Sequence, residues 1–500
     1  MTGLLSKSRY MIGLQCEKRL WVHCHEKERL GAVDAGTAFR LAQGHEVGRL
    51  ALELHPEGIG IEWEAGMEEA VRQTAQALTA RQPLFEGAFR YEDTYARADV
   101  LLPAPRGKWD LVEVKSTTEV KDEHLEDVAF QRQVYDGAGL RVRRCFVQHV
   151  NREYVRQGAV EPEKLFVRQD VTEAVEALAS EVPHEVKRLA AVLAGRRCPK
   201  VEVGEHCTTP HPCELVDECW AFLPEGSVYE LWRGRKKARE LHAQGILALE
   251  AVPKSFALSA EQAIQVAAAK AGKPRADLDA LRGFLGQLEY PLTLLDFETV
   301  GTAIPLYDGC RPYEQVPFQY ALLVQRSPGG PSRRHGFLAA GREDPRPRLL
   351  ESLRRRIGEC GSIVAFNAAF EIARLKACAE AFPEHATWIA AALPRFVDLW
   401  TPFRCFHYYH PAQEGSTSQK AVLPALAGGG YADLEIGDGQ TAAVSFLECT
   451  FGKVPGARRR ALREALRVYC RRDVDGMREI LWALEKLCRG KRGSGTRKNK

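Results

Sequence analysis

Strand-forming sequence occurs in two regions of this chain, with a helix-forming stretch between them. In the first region a β-rich segment over 89–115 precedes a helical pattern over 123–135 and a strand pattern over 142–150. Residues 222–288 are mostly helix-forming. From Tyr290 strand patterns return in LTLLDFE, VPFQYALLVQ, SIVAFN and FVDLW, followed by a long helix over about 461–488. The pattern predicts two α/β domains joined by a helical connector.

The length of the chain supports the same division. A chain of 500 residues exceeds what one hydrophobic core usually organises. We expect domains at 1–221 and 289–488, a connector at 222–288 and a basic, disordered tail at 489–500. Two interpretations of the tail remain open, contact with phosphates or a solvated terminus. Its cationic residues are Arg489, Lys491, Arg492, Arg497, Lys498 and Lys500.

The composition is that of a folded protein outside the membrane. Hydrophobic residues make up 45% of the chain, but no stretch approaches the roughly 18 consecutive apolar residues of a membrane helix. The first residues, MTGLLSKSRYMIGLQCEKRLW, lack the apolar core and cleavage site of a secretory signal. We therefore expect a cytoplasmic protein. Its 14 cysteines then favour metal or cluster ligation over disulfides. The net charge of +4 does not by itself indicate a partner.

Acidic and basic residues stand on two neighbouring strand patterns of the first region. Asp99 lies on the first of these strands, and Glu113 and Lys115 lie on the second. Because side chains alternate along a strand, Glu113 and Lys115 point to one face. An aspartate facing Glu-x-Lys forms a carboxylate pair that can hold Mg²⁺ or Mn²⁺, with the lysine placed to orient water and phosphate. This pattern indicates phosphodiester chemistry.

Three further residues complete the first motif. Gln131 and Tyr135 are four residues apart on a predicted helix, hence on one face, and His45 offers an imidazole upstream. In this order the residues resemble the RecB-family nucleases of the PD-(D/E)xK superfamily, including the CRISPR-associated exonuclease with an iron–sulfur cluster, over roughly residues 5–221. The resemblance implies a restriction-endonuclease-like α/β domain, although the proline before the aspartate is absent here. It implies metal ligands His45, Asp99 and Glu113, and catalytic residues Lys115, Gln131 and Tyr135.

Three cysteines follow this region at regular intervals. Five residues separate Cys207 from Cys213, and five separate Cys213 from Cys219. The RecB-like resemblance implies that Cys16 supplies a fourth thiolate and that the four cysteines bind a 4Fe–4S cluster joining the two ends of the domain. Zinc and unligated buried cysteines are the alternatives, although the C-x-x-C pairs of zinc ribbons are absent. Cys24 and Cys198 are alternative ligands. The other cysteines are expected in the core: Cys145, Cys310, Cys360, Cys378, Cys405, Cys449, Cys470 and Cys488.

A second set of acids occurs in the second region. Asp296 and Glu298 end an apolar strand and emerge on one face, and Glu371 lies where a helix follows another apolar strand. Tyr469 and Asp473 are four residues apart on the terminal helix and share a face. Four converging acids predict a two-metal site, in which one ion activates water and the other stabilises the leaving 3′ oxygen. Tyr469 would be a catalytic residue that orients the water.

These acids resemble the DEDD exonucleases of the DnaQ-like, RNase H-like fold, in the variant with a tyrosine before the last aspartate. They are still more similar to an uncharacterised bacterial domain that follows RecB-like nuclease domains, over about residues 290–488. Segments 296–298, 312–319, 408–411 and 422–426 carry that similarity. The resemblance implies an RNase H-like α/β domain. The second DEDD acid is glutamate here, Glu371, so Asp398 is an alternative ligand and a fold kept for binding is an alternative function.

The sequence thus predicts a metal-dependent nuclease that degrades DNA, preferentially single strands or ends, at two separate sites. Repair, recombination or defence is the expected context. The expected cofactors are a 4Fe–4S cluster and Mg²⁺ or Mn²⁺. The expected partners are nucleic acid, with DNA ahead of RNA, and repair or defence proteins, with no membrane. The alternative is an iron–sulfur scaffold that binds nucleic acid and has vestigial catalysis in one or both domains.

Overall fold

The computed structural model of the protein describes residues 3–31 and 33–489. These residues divide into two compact units. Unit 1 consists of Met1–Phe222 with Thr302–Glu314, and unit 2 consists of Leu223–Gly301 with Gln315–Lys500, each within the described residues. Both units mix helices and sheets, so the α/β class expected from the sequence is confirmed. Arg489 ends the last helix, and the rest of the predicted basic tail, 490–500, lies outside the described residues.

Unit 1 contains the following elements. Its strands are β1 (Leu5–Ser6), β2 (Ile59–Gly60), β3 (Leu84–Tyr91), β4 (Thr94–Pro103), β5 (Trp109–Lys115), β6 (Val142–Val150) and β7 (Phe166–Asp170). Its helices are α1 (Lys7–Gln15), α2 (Glu17–His25), α3 (Ala35–Leu52), α4 (Met67–Ala77), α5 (Asp122–Gly137), α6 (Pro162–Leu165), α7 (Thr172–Leu178), α8 (Val182–Ala194) and α9 (Val216–Trp220).

The strands of unit 1 form a mixed sheet. In its described residues the strand order is β2-β3-β4-β5-β6-β7, and β1 pairs with β4 as a branch from this path. The pairs β3–β4, β4–β5 and β6–β7 are antiparallel, whereas β5–β6 is parallel and is connected through α5. On β5, Leu111 packs in the core cluster that includes α5, and Val112 packs in a different cluster. Glu113 and Lys115 follow Leu111 at every second position, so they share the face that α5 covers.

Unit 2 contains the remaining elements. Its strands are β8 (Arg275–Ala276), β9 (Leu292–Val300), β10 (Val316–Gln325), β11 (Ser332–Leu338), β12 (Ile363–Ala365), β13 (Phe396–Asp398) and β14 (Tyr408–Tyr409). Its helices are α10 (Arg235–Ala243), α11 (Ala260–Ala271), α12 (Leu278–Leu285), α13 (Arg346–Ile357), α14 (Ala368–Ala381), α15 (Ala386–Ala392), α16 (Thr401–Arg404), α17 (Gln419–Ala427), α18 (Gly439–Phe451) and α19 (Gly456–Arg489).

The main sheet of unit 2 has the order β11-β10-β9-β12-β13 in the described residues. β10 is antiparallel to β9 and to β11, whereas β12 is parallel to β9 and to β13. Alternate residues of the central strand β9 pack in two core clusters. Leu292 and Leu294 pack with α12 and α19, and Leu295 and Phe297 pack with α13 and α14. The two faces of β9 are therefore covered by different helices, which fixes where its acidic residues point.

The segment predicted to be a connector, 222–288, lies almost entirely in unit 2. Within it, Leu281 and Phe284 of α12 are buried in the core cluster that contains α19. The segment Thr302–Glu314, between β9 and β10 in sequence, belongs instead to unit 1. Its Ala303 and Ile304 are buried in one cluster with Val47 and other residues of unit 1. Among the described residues, no helix combines the length and the apolar content that crossing a bilayer requires.

Candidate metal centres

The first acidic site lies where β4, β5 and α5 meet. In the antiparallel register Val100 pairs with Val112, which places Asp99 opposite Glu113 on the neighbouring strand. The Gln131 side chain on α5 donates a hydrogen bond to Glu113 Oε2 at 2.7 Å. The Tyr135 hydroxyl donates to Gln131 Oε1 at 2.8 Å. The structure therefore brings together Asp99, Glu113, Gln131 and Tyr135 as the sequence predicts.

Two ammonium groups contact the carboxylate of Glu113. Lys115 Nζ lies 2.8 Å from Glu113 Oε1 and 2.6 Å from Asp127 Oδ2. Lys7, the first residue of α1, also places its Nζ 2.8 Å from Glu113 Oε1. The two cations compensate the charge of acids that are almost completely buried, as burial of charge requires. The site is therefore a closed network of charges in which Lys7 and Lys115 hold one oxygen of Glu113.

The pKa values in this network follow from that arrangement. Burial and the adjacent charge of Glu113 raise the pKa of Asp99 to about 7. Burial by itself would raise the pKa of Glu113. The nearby ammonium groups of Lys115 and Lys7 outweigh this effect and hold the pKa of Glu113 below its usual range. Burial would lower the pKa of Lys115, but the charges of Glu113 and Asp127 raise it above its usual value. Glu113 is thus a carboxylate and Lys115 an ammonium ion at neutral pH.

The network opens into a cleft of about 960 Å³ in unit 1. Lys7, Asp99, Glu113 and Lys115 line this cleft, and His45 on α3 lies in the same wall. Asp99 accepts a hydrogen bond from the backbone N–H of Val114 at 2.7 Å through Oδ2. The predicted ligands His45, Asp99 and Glu113 thus line one cleft. In the described residues, however, their ligand atoms are not among the groups that all lie within 4.8 Å of one another.

Sequence reasoning missed Lys7 and Asp127. A signal for Asp127 was present, because it lies four residues before Gln131 and hence on the same face of α5. Its Oδ1 accepts a hydrogen bond from Gln131 at 2.9 Å. No local sequence pattern indicated that Lys7 belongs to this site. It reaches the site because β1 pairs with β4 in parallel, with Leu5 opposite Thr94, which carries the start of α1 to the edge of the site.

The four predicted cluster cysteines line one small cavity. Cys16, Cys207, Cys213 and Cys219 are among its lining residues. Cys213 donates its backbone N–H to the carbonyl of Cys207 at 2.9 Å, and Lys18 donates to Cys219 Sγ at 3.2 Å. The alternative ligands Cys24 and Cys198 do not line this cavity. Of the cysteines expected in the core, Cys360 and Cys405 are exposed, so that expectation was wrong for these two.

The sulfur atoms of these four cysteines are not gathered as closely as the ligands of one bound ion would be. Sulfur atoms around one tetrahedral zinc ion would lie about 3.8 Å apart, given Zn–S bonds of about 2.3 Å. Within 3–31 and 33–489, the groups of three or more potential ligand atoms that all lie within 4.8 Å of one another do not include these cysteines. No three of these sulfur atoms therefore have the mutual spacing of ligands around one zinc ion in this structure, and the cavity that the four cysteines share is a candidate site for a cluster or for zinc.

The second acidic site forms between β9 and α19. Asp296 and Glu298 lie on the face of β9 that also carries Leu292 and Leu294, the face covered by α19. Ligand atoms of Asp296, Glu298 and Cys470 all lie within 4.8 Å of one another. Asp473, one turn beyond Cys470 on α19, is 8% exposed, and its negative charge is felt by both acids of β9. This strand and this helix therefore supply one ligand group.

The fourth acid, Glu371, lies in the first turn of α14. It is 3% exposed, and its Oε2 has no hydrogen-bond partner among the described residues. The alternative ligand Asp398 is already engaged, because its Oδ1 accepts from the backbone N–H groups of Asn367 at 2.9 Å and Trp400 at 3.0 Å. A buried carboxylate oxygen without a partner is costly unless something binds it. Glu371 Oε2 is therefore a buried ligand atom without a partner among the described residues, whereas Asp398 is hydrogen-bonded through Oδ1.

Two residues that the sequence did not reveal contact this site. The Tyr431 hydroxyl donates to Asp473 Oδ1 at 2.6 Å. Lys420, in the first turn of α17, places its Nζ 5.4 Å from the ring centroid of Tyr469 and supplies positive charge near Glu298 and Asp473. Tyr469 itself is 5% exposed. Since Tyr431 comes from a loop and Lys420 from another helix, neither shares a motif with the acids.

The acids of the second site repel one another. Burial and the charges of Asp473 and Glu298 raise the pKa of Asp296 well above its usual value. Burial raises the pKa of Glu371 to about 8 and that of Asp473 to about 6. Acids in this arrangement are stabilised by a divalent cation, whose charge offsets their repulsion. The donor set of carboxylate oxygens therefore fits Mg²⁺ or Mn²⁺.

We expect Asp296→Asn to stabilise the metal-free protein. Because the folded-state pKa of Asp296 is raised, the folded protein binds more protons than the unfolded chain, and wild-type stability falls as pH rises above the usual pKa of 3.8. The variant should gain about 1 kcal/mol near pH 8 in EDTA, and less near pH 5. Calorimetric unfolding at pH 8 and at pH 5 measures the difference in stability between the variant and the wild type. Asp475→Asn is the control, because Asp475 is paired with Arg334 at 2.9 Å. An equal gain at the two pH values would contradict the repulsion.

Part of this chain matches one known protein family. Residues 293–418 match the profile of a family described as a domain of unknown function (DUF2779). The match includes Asp296, Glu298 and Glu371, whereas Asp473 lies beyond it. No curated protein matches the chain. Among solved structures, the one titled "Crystal structure of SSO0001" is similar over 45% of this chain and 89% of its own, with 13% identity and a TM-score of 0.24. A similarity that weak carries no argument about function.

Proposed function

We propose that this protein is a metal-dependent nuclease that hydrolyses phosphodiester bonds at two separate sites, one in each unit. The observation that carries the proposal is the group of buried acids in unit 2. Ligand atoms of Asp296 and Glu298 lie within 4.8 Å of each other, the charge of Asp473 acts on both acids, and Glu371 Oε2 has no hydrogen-bond partner among the described residues. Mutual repulsion makes such a group costly unless it binds cations. In this proposal unit 1 has a restriction-endonuclease-like fold and unit 2 an RNase H-like fold.

In the first site, the residues hold and orient a phosphodiester. Asp99 and Glu113, with His45, would hold Mg²⁺ or Mn²⁺, which when bound supplies an activated water and offsets charge on the phosphate. Lys115 keeps its ammonium charge and is positioned at the cleft, where it orients water and phosphate. Gln131 fixes Glu113 by a hydrogen bond, and Tyr135 in turn fixes Gln131. Lys7 adds a second positive charge for the phosphate.

In the second site, the residues assemble a pair of ion positions. Asp296, Glu298, Glu371 and Asp473 would hold two divalent ions, which when bound activate water and stabilise the leaving 3′ oxygen. Tyr431 orients the carboxylate of Asp473 through its hydrogen bond. The proposed role of Tyr469 is to orient the attacking water. We propose stepwise 3′-to-5′ removal of nucleotides for this unit, and DNA single strands or ends as the substrate.

The proposed cofactor of unit 1 is a 4Fe–4S cluster on Cys16, Cys207, Cys213 and Cys219. The cavity that all four cysteines line supports it. We propose the cytoplasm as the location, because a reducing compartment keeps cysteines available as cluster ligands. Repair, recombination or defence is the proposed context, with nucleic acid and proteins of those processes as partners.

Digestion of end-labelled substrates tests the proposed function. Purified full-length protein with Mg²⁺ or Mn²⁺ is expected to degrade single-stranded DNA, and double-stranded DNA from its ends, and to stop when EDTA removes the ions. Single- and double-stranded RNA serve as the comparison substrates. Tight binding of DNA without cleavage under any metal condition would instead favour the scaffold function, because binding requires only the positive surface and not the acid groups.

A further inference from the structure

Cys470 lies inside the second acidic site, although its sequence context indicates only a core cysteine. Its side chain is completely buried on the face of α19 that packs against β9. The Sγ atom lies 3.5 Å from Asp296 Oδ2. A ligand atom of Glu298 also lies within 4.8 Å of both groups. Because Cys470 precedes Asp473 by three residues, one turn of α19 presents a thiol and a carboxylate to the same strand.

These distances suit a metal ion with mixed sulfur and oxygen ligands. Zinc binds thiolate sulfur at about 2.3 Å and carboxylate oxygen at about 2.0–2.2 Å, which sets neighbouring ligand atoms roughly 3.5 Å apart. The separation of Cys470 Sγ and Asp296 Oδ2 is already in this range. Glu371 gives independent evidence for a bound ion at this site. Its buried Oε2 has no hydrogen-bond partner among the described residues, and its negative charge acts on Asp296. Little movement of the side chains is therefore needed to surround an ion.

We propose that one ion position of the second site takes a thiophilic divalent ion of the Zn²⁺ class, with Cys470, Asp296 and Glu298 as ligands. This inference rests on the proposed function, because it concerns the same metal site. It adds Cys470 as a ligand and a preference for thiophilic ions. On binding, the ion replaces the thiol proton, which passes to the solvent, and a sulfur–metal bond forms. Thiolate ligands favour Zn²⁺ over Mg²⁺. The affinity of a given site for divalent ions also rises from Mn²⁺ to Co²⁺, so Co²⁺ should bind here more tightly than Mn²⁺.

The competing explanation is that Cys470 is an ordinary core thiol. In that case its S–H group only donates a weak hydrogen bond to Asp296, and the site prefers oxygen-binding ions. The two explanations differ in whether a sulfur–metal bond forms when a thiophilic ion is added. Co²⁺ is a suitable probe, because thiolate-bound cobalt has a charge-transfer absorption band that oxygen-bound cobalt lacks.

The test is a Co²⁺ titration of the full-length protein with its cluster assembled, compared with Cys470→Ser. The wild type should show a thiolate-to-cobalt band that saturates at about one additional ion, and Cys470→Ser should lack this band and bind that ion at least tenfold more weakly. Background from the cluster cysteines is the same in both proteins and cancels in the difference spectrum. Zn²⁺ should displace Co²⁺ from the wild type, whereas Mg²⁺ at similar concentration should not.

Cys488→Ser is the matched control, because Cys488 is also buried on α19 but lies about 27 Å further along the helix. This variant should keep the band. Equal bands in the wild type and Cys470→Ser, or no band in the wild type, would overturn the inference. If Cys470→Ser does not fold, Asp296→Asn must weaken the band instead, and an unchanged band in that variant overturns the inference as well. Nuclease activity is measured separately. If the cobalt band is present but the protein has no nuclease activity, the proposed function is refuted and the metal-site inference still stands.

Discussion

Replacing Asp296 by alanine is expected to reduce stepwise 3′-to-5′ trimming of end-labelled DNA by at least about a thousandfold. The Asp296 carboxylate lies within 4.8 Å of ligand atoms of Glu298 and Cys470, and the charge of Asp473 acts on it, so its loss removes a ligand that both ion positions would share. The measurement is the ladder of products from a 5′-labelled single strand. Asp475→Ala, on α19 with Asp473 and Cys470, is the control and should trim like the wild type.

The reciprocal variant, Lys115→Ala, should leave this ladder unchanged and remove the activity of the first site. It deletes the ammonium group beside Glu113 and Asp127 without altering any residue of unit 2. The double variant should be inactive and still bind nucleic acid. If Lys115→Ala alone abolishes every activity on every substrate, unit 2 is not an independent exonuclease, and a binding function for 289–488 becomes the better explanation.

Cys213→Ala is expected to destabilise unit 1 strongly. A cluster that links Cys16 to Cys207, Cys213 and Cys219 closes a loop of roughly 190 residues, which by loop entropy is worth about 5 kcal/mol. The melting temperature of this unit should fall by roughly 10–20 °C. Anaerobically purified wild type should be brown and hold about four irons, whereas the variant should lose iron.

The control for this prediction is Cys24→Ala, because Cys24 is similarly half-buried but does not line the cluster cavity. It should keep both the iron and the melting temperature. Colourless wild-type protein with one bound zinc would refute the cluster. A Cys24→Ala variant that loses iron as readily as Cys213→Ala would refute the assignment of Cys213, rather than Cys24, as a ligand.

Local patterns predicted those parts of the molecule that depend on one or two elements. The strand over 142–150 and the long terminal helix follow directly from apolar periodicity. The pairing of Glu113 with Gln131, and of Asp296 with Glu298 on one face, follows from strand and helix geometry. These contacts were predictable because each motif is rigid over a few residues and the sheet brings neighbouring motifs together.

Other contacts depend on how distant segments pack, which no local pattern encodes. Lys7 reaches Glu113 only because a two-residue strand pairs with β4, and Tyr431 reaches Asp473 from a loop. Cys470 is an intermediate case. Its spacing from Asp473 was visible in the sequence, but a buried cysteine on a helix is usually a packing residue, and its approach to Asp296 is visible only in the folded structure.

The placement of Thr302–Glu314 in unit 1 affects how this protein emerges from the ribosome. When residue 222 has been synthesised, the apolar surface formed by Val47, Val150 and Leu165 still lacks Ala303 and Ile304. Translation adds about 5–20 residues per second, so roughly ninety more residues take roughly 5–20 s. During this interval the nascent unit 1 displays a hydrophobic patch suited to capture by chaperones. For the same reason, a gene split after codon 222 would yield an amino-terminal product with an unfilled core, and residues 1–222 do not form a module that recombination can move intact.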